Sequence, residues 1–233
     1  MWQTWEHLLF AHWPVPCDLL RPLIPAEIEV DTFDGQAWIS IIPFLLTGVR
    51  IRFTPRIPFT HTFPEINVRT YVKAGGKSGI YFLSLDAANP LMTTIAKKWY
   101  RLPYHPATMQ FRHRGEEIDV QSRRWRSPLA TGRFSAVYRP DSAMFMPRPG
   151  SLEHWLTERY TLFCQCARSK KIYGADVYHE PWKLQKAAVT FRENTMTHNF
   201  FSLAGYPPLC LYARGVQSII WPIREAQKRG GTN

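Results

Sequence analysis

The chain has 233 residues, with 29 Lys and Arg against 18 Asp and Glu, for a formal net charge of +11. That length is ample for one large domain with a hydrophobic core, and a content of 45% hydrophobic and 14% aromatic residues excludes a disordered chain. No uncharged apolar run approaches the ~18–20 residues of a membrane helix, so a spanning helix is excluded as well.

The opening run Met1-Trp2-Gln3-Thr4-Trp5-Glu6-His7 has neither the basic start nor the apolar core of an export signal. A cytoplasmic protein with reduced thiols at Cys17, Cys164, Cys166 and Cys210 is the expectation. No linker, repeat or break in composition divides the sequence, so residues 1–233 are read as a single domain. The 19 prolines are spread throughout and argue against long helices.

In chain order, short helical turns are expected near Asp18–Leu23. Residues 27–33 and 36–44 flank Asp34-Gly35, the signature of a type I′ hairpin, because both turn positions need positive φ. Residues 65–73 alternate as a strand: Glu65, Asn67, Arg69 and Tyr71 face one way, and Ile66, Val68, Thr70 and Val72 the other. A glycine-rich turn at 74–79 leads into a strand at 80–86. A helix at 90–99 starts at Asn89-Pro90 and shows Leu91, Met92, Ile95, Ala96 and Trp99 on one face. Strands follow at 107–113, 117–125, 132–139, 183–192 and 209–220, with helices at 152–163, capped by Ser151, and at 195–204. The result is a β-rich α+β fold whose antiparallel sheet curls into a barrel with a few peripheral helices.

Most motifs of catalysis fail on spacing. Gly76-Lys77-Ser78 lacks the glycine that a phosphate-binding loop requires at 71, where Tyr71 stands, and it leads into a strand. The eight histidines and four cysteines show no metal-ligand spacing, so neither metal nor cofactor is read. The basic clusters at Arg50/Arg52/Arg56, Arg112/Arg114 and Arg123/Arg124/Arg126 are interrupted by Glu116, Glu117 and Asp119. A nucleic-acid or acidic-partner surface is therefore the weakest reading of the charge. What survives is the polar face Glu65, Asn67, Arg69. Periodicity by itself favours a face turned to solvent. A closed interior is the alternative, in which the carboxylate and the guanidinium would have to pair.

Several segments resemble the YqjF-like family of bacterial proteins. They include Leu9-Phe10-Ala11-His12-Trp13, Asp31-Thr32-Phe33-Asp34-Gly35 with Ala37-Trp38, Glu65 through Val72, Leu102-Pro103-Tyr104, and Leu152–Phe163 with Glu158-Arg159-Tyr160. That family is similar in fold to acetoacetate decarboxylase, which implies a barrel around a largely apolar cavity. In the decarboxylase a lysine forms a Schiff base with a β-keto acid. The matching segment here is Arg101-Leu102-Pro103-Tyr104-His105, so Tyr104 and His105 stand in place of the lysines and Schiff-base chemistry is not expected.

The resemblance also turns Glu65, Asn67 and Arg69 inward. It implies Glu65, His105 and Tyr104 as candidate catalytic or proton-donating groups, and Arg69, Asn67 and His12 as ligand-binding groups. The expected partner is a small organic acid or carbonyl compound, bound with or without chemistry; a non-catalytic binding or regulatory module is the alternative. Sheet edges and surface aromatics leave room for a homo-oligomer.

Overall fold

The computed structural model describes residues 1–50, 62–125, 132–166, 169–203 and 205–226. Within the helix at Pro90–Tyr100 the side chains of Met92, Ile95, Ala96, Lys98 and Trp99 lie outside that description, as do Arg52, Arg56 and Arg126 of the basic clusters.

The strands are β1 (Trp2–Val15), β2 (Glu29–Val30), β3 (Ala37–Arg50), β4 (Thr62–Ala74), β5 (Lys77–Ala87), β6 (Tyr104–Arg114), β7 (Glu117–Arg124), β8 (Arg133–Pro140), β9 (Thr161–Gln165), β10 (Ile172–His179), β11 (Gln185–Asn194), β12 (Leu209–Ile220) and β13 (Arg224–Glu225). The helices are α1 (Cys17–Leu20), followed by a 3₁₀ turn at Arg21–Leu23, α2 (Pro90–Tyr100) and α3 (Leu152–Thr157). No described helix is long and apolar enough to cross a membrane.

Two strands organise the barrel-like sheet by each taking two partners along one edge. β5 pairs β4 on one edge, and on the other pairs β9 at Ile80 and Tyr81, then β6 at Leu85–Ala87, both parallel. β12 pairs β1 on one edge, and on the other pairs β11 at Leu211 and Tyr212, then β10 at Ile219 and Ile220. The strands β12, β1, β3, β4 and β5 are thus shared by two closed circuits, one completed by β9 and β10 and the other by β6, β7, β8 and β11.

This sharing buries both faces of the central strands. Leu9, Ala11 and Trp13 of β1, Ile39 and Ile41 of β3, and Ile66, Val68 and Val72 of β4 pack with Ile118, Val120, Phe134 and Ala136 from β7 and β8 into a dry core. Their alternate residues, such as Leu8, Phe10, Ile42 and Phe44, face the β9–β10 circuit instead. The apolar face of β4 therefore packs beneath a second layer of strands, not beneath helices, and its polar face turns to the opposite interior.

Local expectations hold where short-range chemistry decides. Asp34 and Gly35 have φ of 49° and 78°, and Phe33 and Gln36 exchange backbone hydrogen bonds of 2.9 Å in both directions. The strand before that turn contracts to β2, which pairs with β4 through Glu29–Lys73 and Val30–Val72, and the Asp31 N–H to the Tyr71 carbonyl carries that register one residue further. Ser151 caps α3 through its hydroxyl, which accepts from the His154 N–H at 3.2 Å.

Two helices expected from the sequence differ in the structure. The one at 152–163 stops at Thr157, and after an irregular link at 158–160 the chain enters β9 at Thr161. Leu162, Phe163 and Cys164 are all buried there, so both faces find partners in a sheet and a one-sided helix is the poorer solution. Where a helix is expected at 195–204, residues 196–200 form turns, with the Phe200 and Phe201 N–H groups on the Thr197 carbonyl, and residue 204 lies outside the described residues.

Candidate functional site

The β9–β10 circuit surrounds a partly open cavity of about 110 Å³. That is comparable with the ~150 Å³ apolar cavity that holds a benzene ring, so it suits a small organic molecule. Its walls are mostly aliphatic and aromatic, from Leu8, Phe10, Phe44, Phe63, Phe82 and Trp182 among others. Into this apolar lining β4 delivers Glu65, Asn67 and Arg69, spaced two apart and on one face.

Glu65 is 3% exposed, and its Oε2 accepts a hydrogen bond from the Tyr104 hydroxyl at 3.1 Å. Burial is the main force on its carboxyl, with a smaller push from the Asp86 carboxylate, and together they raise its pKa to about 8 against the opposing hydrogen bond from Tyr104. At neutral pH it is a carboxylic acid with a proton to donate. Tyr104 is itself pushed well above the ordinary phenol range by burial and by Glu65.

Arg69 presents the reverse situation. It is 9% exposed, its Nη2 donates to the Leu156 carbonyl at 3.2 Å, and its Nε is buried without a partner. Its Cζ lies 5.7 Å from the centroid of the Phe10 ring and 5.8 Å from that of Tyr71. The pairing with Glu65 expected from the sequence is not formed. Positions four apart on an extended strand are about 13 Å apart at Cα, and among the described residues Arg69 has no ion-pair partner. The cavity thus combines a buried cation with a neutral acid. Asn67, between them, has a buried Oδ1 without a hydrogen-bond partner.

The other sequence candidates lie elsewhere. His105 follows Tyr104 on β6 and, by strand alternation, is not among the residues that line the cavity. It is half-buried near Arg124 and Lys97, and burial first and then these cations lower its pKa to about 4. His12 is fully buried behind the wall. Its Nδ1 is 2.6 Å from the Ser40 hydroxyl, which is 2.6 Å from the Tyr71 hydroxyl, and burial and Arg69 hold it well below the usual histidine range. Arg124 of the basic hairpin is buried too, with Nε 2.6 Å from Asp86 Oδ1.

The cavity also contains groups that periodicity did not single out. His179 ends β10, stacks on Tyr160 with centroids 4.7 Å apart, and has its Nδ1 2.8 Å from the Glu180 carbonyl. Arg159 arrives from the turn after α3. Its sequence signal was the Glu158-Arg159-Tyr160 string, which a continuous helix would have placed on a helical face. Among the described residues no cluster of three His, Cys, Asp or Glu side chains could hold a metal ion.

Residues 2–217 match the sequence profile of a family described as an uncharacterised conserved protein, DUF2071. The chain belongs to the DUF2071 family. It is similar to the uncharacterised protein YqjF of Bacillus subtilis, with 45% identity over 226 residues that cover 97% of this chain and 92% of that one.

The fold of this DUF2071 chain is shared by several solved structures. The enduracididine biosynthesis enzyme MppR complexed with pyruvate has a TM-score of 0.66 at 12% identity, covering 97% of this chain and 90% of the other. Acetoacetate decarboxylase of Legionella pneumophila has a TM-score of 0.60 at 9% identity, covering 97% and 86%. An acetoacetate decarboxylase-like enzyme of Sphingomonas wittichii has a TM-score of 0.63 at 11% identity, covering 97% and 93%. Identities this low establish the fold alone.

Proposed function

We propose that this DUF2071 protein binds a small organic acid or carbonyl compound in this cavity, with Arg69 as anchor and Glu65 as proton or hydrogen-bond donor. The observation that carries this reading is the buried Arg69 guanidinium on the cavity wall with no described protein anion beside it. A buried charge is costly unless paired, and an incoming carboxylate supplies the pair and accepts the guanidinium's planar donors. The apolar lining then receives the ligand's carbon skeleton, and the protonated Glu65, held by Tyr104, faces an uncharged oxygen such as a carbonyl. The pyruvate held by MppR, a fold neighbour, accords with this ligand class.

Binding without a covalent imine is the favoured mode. Tyr104 lines the cavity where the resemblance to acetoacetate decarboxylase places a lysine, and the described lining residues include no lysine. A phenol cannot condense with a ketone.

The test is calorimetric titration of the purified protein with pyruvate, acetoacetate, butanoate and butanone, repeated on Arg69→Ala. Binding of at least one acid, lost in Arg69→Ala while the variant keeps its circular dichroism spectrum, supports the reading. Unchanged affinity in the variant contradicts it. Proton NMR of the bound compound after incubation separates an enzyme, which returns a new species, from a binding module, which returns the ligand unaltered.

A further inference from the structure

The segment that ends α3 brings a second guanidinium to the cavity. Arg159 has a side chain only 4% exposed; its Nε donates to the Trp155 carbonyl at 2.6 Å and its Nη1 to Asp31 Oδ2 at 2.7 Å. Its Nη2 is buried with no partner. Arg69 donates to Leu156, the carbonyl next in sequence to the one that Arg159 uses. The two guanidiniums therefore meet at the same helix C-terminus, where the outward-pointing carbonyls favour cations. They also share an aromatic neighbour: the Cζ of Arg159 lies 5.2 Å from the Tyr71 centroid and that of Arg69 5.8 Å.

Acidic groups are too few to neutralise them. Asp31 is wholly buried, and it divides its two oxygens between Arg159 and Lys73, whose Nζ is 2.8 Å from Oδ1. Arg159 and Lys73 thus share one carboxylate, and Arg69 has no ion-pair partner among the described residues. Glu65, the other acid on this wall, stands four residues along β4 and keeps its proton at neutral pH. Like charges held together in a water-poor interior raise each other's cost, and an anion placed between them relieves it.

We infer that Arg159 is a second anion-binding residue, positioned by Asp31, and that the ligand is an acid and not a neutral carbonyl compound. Its carboxylate takes hydrogen bonds from both guanidiniums, while Phe10, Phe44 and Phe82 surround its carbon skeleton. Two planar forks on one carboxylate fix its orientation as well as its charge. Asp31 acts through Arg159: it holds Nη1 and so fixes where Nη2 stands. This inference rests on the carboxylate reading of the cavity proposed above.

The test compares butanoate with its uncharged isostere butanamide, by calorimetry at pH 7. The unmodified protein is expected to bind the acid at least 100-fold more tightly than the amide. Arg159→Gln and Arg69→Gln are each expected to weaken butanoate at least tenfold. Arg159→Lys, which can keep an ion pair with Asp31, is expected to recover only part of the loss. Asp31→Asn is expected to lower the acid-to-amide ratio, which a purely structural role would leave unchanged.

On the unmodified protein, ¹⁵N-edited NMR of the arginine side chains should show two guanidiniums shifting on addition of butanoate, a result that does not depend on any variant folding. Loss of binding in Arg69→Gln with affinity kept within twofold in Arg159→Gln, or a single shifting guanidinium, overturns the second anchor alone. Absence of acid binding to the unmodified protein overturns the carboxylate reading itself, and this inference with it.

Discussion

Glu65 and Arg69 share one face of one strand, and burial acts on them in opposite ways: the acid gives up its charge, and the guanidinium keeps its own with no ion-pair partner among the described residues. For Glu65 this has a thermodynamic consequence. The folded protein holds the Glu65 proton up to about pH 8, whereas a free glutamate releases it near 4.5. Between those values the folded state binds more protons than the unfolded one, so this group lowers stability as pH rises, by at most about 1.4 kcal/mol per pH unit. Asp86, raised by burial to about 6, adds its own decline at lower pH.

Denaturant unfolding of Glu65→Gln and the unmodified protein from pH 5 to 9 should therefore give curves that diverge in favour of the variant up to about pH 8 and then run parallel. Curves parallel throughout would show that Glu65 is ionised in the folded state. Tyr104→Phe removes the one hydrogen bond that opposes the shift, so a ¹³C NMR titration of the Glu65 carboxyl should move further upward; a downward move contradicts this assignment. The alternation of residues 65–72 made the shared face of Glu65, Asn67 and Arg69 legible in the sequence. It could not show which interior that face meets, and adjacency to Tyr104 misplaced His105, because neighbouring residues in a strand point apart.

Among the elements, turns and caps were legible because a few adjacent residues determine them: the positive φ pair Asp34-Gly35 and the Ser151 cap are local chemistry. β9 was not, since Tyr160 and Phe163 continue the apolar face of Leu152, Trp155 and Leu156 at helical spacing. Long-range partners decide between helix and strand, and they leave a mark at Gly79. A Cβ there would lie 2.5 Å from the Thr161 carbonyl oxygen and 2.7 Å from the Phe163 ring, where β5 meets β9. Gly79→Ala should cost about 1–3 kcal/mol by overpacking, read from denaturant midpoints; a neutral effect would mean that β9 does not lie against β5.

The second circuit has a comparable tie. Arg124 of β7 reaches Asp86 and Ser84 of β5, each at 2.6 Å, with side chains 2% and 0% exposed in the ion pair. Arg124→Gln leaves a buried carboxylate unpaired and should cost about 3–5 kcal/mol. A loss below 1 kcal/mol would show that the pair is open to water.

For the whole molecule, the decisive feature is that β5 and β12 each divide one edge between two partners. This division wraps two circuits around the same central strands, one dry and one hollow. A barrel was legible from the count and alternation of strands. The doubling was not, because it depends on pairings between segments far apart in sequence, such as Ile80 with Leu162 and Val177 with Ile220. The net charge of +11, conspicuous in the sequence, matters here through the arginines that the fold has buried.

The central claim is that the hollow circuit holds an organic acid with its carboxylate at Arg69 and its far end toward Glu65. A crystal structure of the protein soaked in acetoacetate tests it most directly. The expected density lies inside the cavity, with carboxylate oxygens at about 2.7–3.0 Å from the Arg69 guanidinium and the keto oxygen turned to the Glu65 carboxyl. A carboxylate seated at Glu65, or acetoacetate bound only on the outer surface, would contradict the account.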